Sequence, residues 1–123
     1  MSLFKGNFNI GNKLWDIQQK GLTIVVGEFA LEHPDGCHWE EIDGWEIMRQ
    51  CKWKNIGYLG WSWQGNGSNE CNVSLEKLNM VTGNPESGKH TWTHNNYSNW
   101  GNAIVWYTEF GIKATSKPAT VFA

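Results

Sequence analysis

Glu28 stands one glycine beyond the apolar run "LTIVV", within the stretch "GLTIVVGEFA" from Gly21 to Ala30. A carboxylate at the end of so apolar a segment is costly to bury unless it is paired or used. A second apolar run, "IGYLGWSW", ends in Trp61 and Trp63 and is followed by Gln64, Gly65 and Asn66. An acid and an aromatic pair at the ends of neighbouring strands suit a sugar. Flat apolar rings stack on the C–H face of the pyranose, and the carboxylate addresses the anomeric carbon. On pattern alone Glu28 has a second reading, as a cap of the loop that follows it.

Other chemistry-bearing residues point nowhere so definite. His33, His38, His90 and His94 fall in loop-like sequence without ligand spacing, and Cys37, Cys51 and Cys71 lack a C-x-x-C pair. No metal site and no cofactor are expected. Cys37 and Cys71 lie in polar sequence and could pair, whereas Cys51 falls in a helical pattern and reads as a buried free thiol. The stretch "GNPESGKHT" nearly spells a phosphate-binding loop, but His90 occupies the position that needs Ser or Thr. Sequons begin at Asn66, Asn72 and Asn96, as chance produces in an Asn-rich chain.

The elements that must position Glu28 and Trp61 follow from periodicity. Ile10, Leu14 and Ile17 recur at helical spacing, predicting a helix over about 9–20 that Gly21 ends in a left-handed cap. "LTIVV" reads as a strand buried on both faces, as in parallel sheet. Asp43 and Glu46 have capping-box spacing and open a second helix with Trp45, Met48 and Cys51 on one side, ending near Asn55. "IGYLGWSW" is the second strand. Two polar, Gly- and Asn-rich loops come next, and a last helix starts near Asn99 and loses its pattern around Gly111. Helix, strand, helix, strand, long loop, helix is the rhythm of βα units on a parallel sheet. Two parallel strands alone would keep unpaired edges.

Length and charge bound the rest. A chain of 123 residues is one domain. A formal charge of −2 supplies no field for nucleic acid, and the apolar runs are too short to span a bilayer. The start "MSLFKGNFNIG" lacks the basic and apolar regions of a secretory signal. Nine tryptophans are many for this length, and most are expected to fill the core, those at a strand end forming a platform.

Three ordered motifs, "GLTIVVGEFA", "GWEIMRQCKWKNIGYLGWSWQGN" and "WGNAIV", resemble the C-terminal part of family 5 glycoside hydrolases, most of all the bacterial endo-β-1,4-mannanases. The likeness covers most of residues 11–122, with Ala30 in place of the usual Gly and Gln64 where Lys is common. It implies an α/β fold: the last third of a (β/α)8 TIM barrel, from helix 6 through strands 7 and 8 to helix 8, as one C-terminal fragment over 1–123. It also implies Glu28 as the nucleophile of a retaining enzyme, Trp61 as the aromatic floor beneath the sugar, and Trp63 and Asn66 in substrate binding. The substrate would be mannan first and cellulose or another β-glucan second, met outside the cell. A retaining glycosidase needs a second carboxyl group roughly 5 Å away. That residue belongs to an N-E-P-like element on the fourth strand, and this sequence has none: "NPE" at 84–86 has the wrong order, and Glu32, Glu40 and Glu41 read as solvated. The chain alone is therefore expected to be inactive, its partners being a β-1,4-linked polysaccharide and the missing barrel portion or copies of itself. The alternatives are a non-catalytic carbohydrate-binding module and a self-assembling fragment.

Overall fold

The structure, a computed structural model, describes residues 9–32, 42–68, 74–83, 96–117 and 120. Cys37, Cys71, Asn72, Glu40, Glu41, the four histidines and the 84–91 stretch lie outside the described residues.

Helix α1 spans Ile10–Gln18, capped by the Asn9 side chain, which accepts from the Asn12 amide at 3.0 Å. Gly21 follows at φ 73°, the left-handed turn foreseen for it. Strand β1 is Val25–Phe29, helix α2 is Gly44–Lys54 and strand β2 is Gly57–Gly60. Asp43 caps α2 by accepting from the Glu46 amide at 2.9 Å. The capping box is only half formed, because the Glu46 carboxylate turns to Arg49 and Gln50 instead of the Asp43 amide. Asn55 ends α2 in the left-handed region, at φ 54°. The last helix is broken: α3, Asn99–Gly101, passes into a π-helical turn over Asn102–Trp106, and a short α4 follows at Ile112–Thr115. No helix among the described residues is long and apolar enough to cross a membrane.

β1 and β2 pair in parallel, as βα rhythm requires, with Val25 opposite Gly57, Val26 opposite Tyr58 and Phe29 opposite Gly60. From Val26 to Phe29 is three residues, whereas their partners Tyr58 and Gly60 are two apart, so β1 carries one extra residue. That irregularity resets the alternation. In an unbroken strand Val26 and Glu28 would share a face, because side chains alternate with period two. Here Val26 and Phe29 both pack on the core, and Glu28 is turned out to the opposite face with Val25 and Leu59.

The core lies on one side of the pair. Leu14, Phe29, Ile47, Met48, Cys51, Ile56, Met80, Trp100, Ala103, Ile104 and Phe110 form one buried cluster. Phe29 is central to it, meeting Tyr58 and Trp100 edge-on at centroid distances of 5.6 and 5.3 Å. The expectation of strands buried on both faces is not met. Val25 and Leu59 are 59% and 62% exposed, because the buried cluster lies on the other face of the pair. The tryptophans depart in the same way. Of the seven described, only Trp100 is buried; the other six are at least a third exposed.

Gly60 lets core side chains approach its backbone closely. A Cβ there would meet Met80 Cε and Trp100 Cζ2 at 2.8 Å, with the Ile104 side chain closer still. Gly60→Ala should therefore destabilise the fold by about 1–3 kcal/mol through overpacking, read as a lower urea midpoint; an unchanged midpoint would show that the core yields. Cys51 supplies a pH test. It is a free, fully buried cysteine, and burial pushes its thiol up to about 11 from the ordinary 9.0. The thiol thus stays protonated in the folded chain after the unfolded chain has begun to lose its proton. Its contribution is whole below pH 9 and is lost as pH rises towards 11, at no more than about 1.4 kcal/mol per pH unit. Burial also raises the Tyr58 hydroxyl, adding in the same direction. Urea titrations between pH 9 and 11 should show stability falling, less steeply in Cys51→Ala.

Candidate functional site

The C-terminal ends of β1 and β2 lie side by side and are tied together. The Trp61 amide, just past β2, donates to the carbonyl of Phe29, the last residue of β1, at 2.7 Å. Glu28 and Trp61 therefore emerge at the same end of adjacent parallel strands, where α/β folds place working residues. Glu28 is exposed, and its carboxylate forms no hydrogen bond or ion pair with any other described residue. Gly27, just before it, does not have a left-handed φ, and a Cβ there would project into open space. Room beside the carboxylate, not backbone strain, is what the glycine leaves.

Trp61 is held at three points. Its amide is bound to Phe29, and its carbonyl accepts from the indole Nε1 of buried Trp100 at 2.7 Å. Its own Nε1 donates to Asn66 Oδ1 at 3.0 Å. The ring nevertheless remains 48% exposed, so a ligand can reach it. The Trp61–Ser62 peptide is cis.

Asn66, expected at the substrate, spends its side chain inside the protein. Oδ1 receives the Trp61 indole, while Nδ2 donates to Ser62 Oγ and to Asn79 Oδ1, both at 2.7 Å. Both amide hydrogens are used, leaving one lone pair on Oδ1. Trp63 is 42% exposed and meets Tyr97 edge-on at 6.0 Å, and Tyr97 in turn meets Trp106 at 6.1 Å. Gln64 reaches away, donating to the Gly83 carbonyl at 2.5 Å. Glu32 sits 3.7 Å from Lys77 in an exposed ion pair, worth no more than about 1 kcal/mol.

Sequence reasoning missed the segment that supports this site. The stretch after β2 folds back through a 3-10 turn at Glu76–Leu78 and runs beside Ser62 and Trp63: the Ser62 amide donates to Leu78 O, and the Met80 amide to Ser62 O. Met80 and Val81 are buried there, between two polar loops. Ser98 caps α3 by accepting from the Gly101 amide and donates its hydroxyl to Asn79 O at 2.6 Å. A serine two residues before Trp100 is a cap signal that could have been read. Asn79 carries no local signal at all. Among the described residues no cluster of three metal-ligating side chains occurs.

No family model matches the chain. It is 42% identical over 102 residues to a mannan endo-1,4-beta-mannosidase of Streptomyces lividans, covering 83% of this chain and 22% of that protein. A mannan endo-1,4-beta-mannosidase of Cellvibrio japonicus is 36% identical over 113 residues, covering 92% of this chain and again 22% of the relative. Among solved structures, the crystal structure of a beta-mannanase from Streptomyces thermolilacinus with mannohexaose superposes with a TM-score of 0.72 at 28% identity. That overlay takes in 98% of this chain and 34% of the enzyme's. The chain thus spans about a fifth of the length of the curated relatives and about a third of the solved structure. By sequence and by fold, it is similar to part of a mannan endo-1,4-beta-mannosidase.

Proposed function

We propose that these 123 residues form the nucleophile-bearing portion of a retaining family 5 endo-β-1,4-mannanase, the last third of a (β/α)8 barrel acting on mannan outside the cell. The observation that carries this reading is the joint delivery of Glu28 and Trp61 to one end of a parallel strand pair. It is made by the extra residue in β1 and the Trp61 amide to Phe29 carbonyl bond. Similarity to mannan-cleaving enzymes over four-fifths or more of the chain supports it.

In this reading Trp61 is the floor on which the scissile mannosyl ring stacks, with Trp63 beside it. Glu28 attacks the anomeric carbon, forming a covalent glycosyl-enzyme as the glycosidic oxygen leaves. Departure requires a second carboxyl group roughly 5 Å from the first to protonate that oxygen and later to activate water. The N-E-P-like element that would hold it is absent from this sequence, so the acid/base comes from other strands of the barrel. The open apolar face carrying Val25 and Leu59 is the surface those strands would cover.

Mannohexaose binding followed by intrinsic tryptophan fluorescence tests the assignment. Trp61→Ala should weaken binding at least about tenfold, as loss of a stacked aromatic does, and Glu28→Gln should leave it nearly unchanged. Mannan hydrolysis by the 123-residue chain should be undetectable. Robust hydrolysis by it, or binding indifferent to Trp61, would overturn the reading.

A further inference from the structure

We propose that Asn79 is a positioning residue for the Trp61 platform, acting through Asn66. This deepens the reading of the site as a sugar cleft and rests on it. The side chain of Trp61 has one polar atom, Nε1, and its acceptor is Asn66 Oδ1 at 3.0 Å. An asparagine side chain can turn about its terminal bond and exchange oxygen for nitrogen, in which case a donor would face a donor and the indole would lose its anchor. What fixes the sense of Asn66 is Asn79. Its Oδ1 accepts from both the Asn66 backbone amide, at 3.1 Å, and Asn66 Nδ2, at 2.7 Å. A single acceptor holding two donors of one residue sets that residue's backbone and its side chain together. Ser62 Oγ, also an acceptor for Nδ2, reinforces the same sense.

Asn79 is itself anchored. Its backbone carbonyl accepts from Ser98 Oγ at 2.6 Å, and the neighbouring residue Met80 is in the core. The relay therefore runs from the cap of α3, through Asn79 and Asn66, to the edge of an exposed indole. Without it the ring would keep its backbone anchors to Phe29 and Trp100 and be free to rotate about its side-chain torsions. A ligand stacking on the ring would then have to order it on binding, a cost of the size that separates preorganised from flexible contacts.

The chemistry of the relay makes the test specific, because Asn79 serves as an acceptor. Asn79→Asp keeps the acceptor and should preserve the platform. Asn79→Leu removes it, and Asn66→Leu removes the acceptor of the Trp61 indole itself. Hydrogen exchange of the indole Nε1–H groups, followed by NMR, reads the anchor directly. In Asn79→Leu the Trp61 indole should exchange faster while the Trp100 indole, bonded to the Trp61 carbonyl, stays protected. Mannohexaose affinity should fall about fivefold. Asn66→Leu should behave the same way, and Asn79→Asp should match the parent chain in both measurements. Unchanged Trp61 exchange in Asn79→Leu overturns the proposal. Joint loss of protection at Trp61 and Trp100 also overturns it, since Asn79 would then be holding the fold rather than the ring. Mannohexaose that leaves the parent chain's Trp61 resonance unmoved refutes the sugar cleft instead, and the exchange comparison still decides Asn79.

Discussion

The hydrogen bond from the Trp100 indole to the Trp61 carbonyl joins the core to the site, and much else depends on it. Trp100 is 1% exposed, packs edge-on against Phe29, and closes against Gly60. Its single polar atom must find an acceptor inside the protein, and leaving a buried donor unmet costs about 1–3 kcal/mol. The acceptor it finds is the carbonyl of the residue whose amide binds the end of β1. One side chain from the last third of the chain is thereby tied to the ends of both strands. The exposed Glu32–Lys77 pair, worth at most about 1 kcal/mol, is a minor partner in the same region.

The sheet is asymmetric in a way that separates stability from use. Its covered face buries Phe29 and half-buries Val26 and Tyr58 against the helices; its open face presents Val25, Leu59 and Glu28. The extra residue in β1 makes that division possible. It lets Phe29 return to the core after Val26 while sending the carboxylate the other way. An unbroken alternation would have aimed the acid at the helices, where an unpaired charge is expensive.

Much of this was legible from residue order. Gly21 is left-handed just beyond α1, α2 ends at Lys54 beside Asn55, Asp43 caps α2, Cys51 is a buried free thiol, and the two apolar runs are parallel neighbours. The tryptophan count was misleading. A large amphipathic ring serves a core or a surface equally well, and only Trp100 among those described went inside. That Asn66 accepts from the Trp61 indole was not legible, because nothing in the local sequence pairs the two side chains.

What the sequence determined by itself is local chemistry and local geometry: which runs become strands, where helices cap, and that a carboxylate and aromatic rings follow strand ends. These obey rules acting over a few residues. What only the tertiary structure decided is which way each group points and what holds it. Glu28 faces outward because of a one-residue mismatch between two strands. Trp61 is pinned by Trp100, 39 residues away, and by Asn66, whose own anchor Asn79 is 13 residues from it. Partners at such separations leave no periodic trace in the chain, because their choice depends on where folding brings the backbone and not on neighbours in sequence.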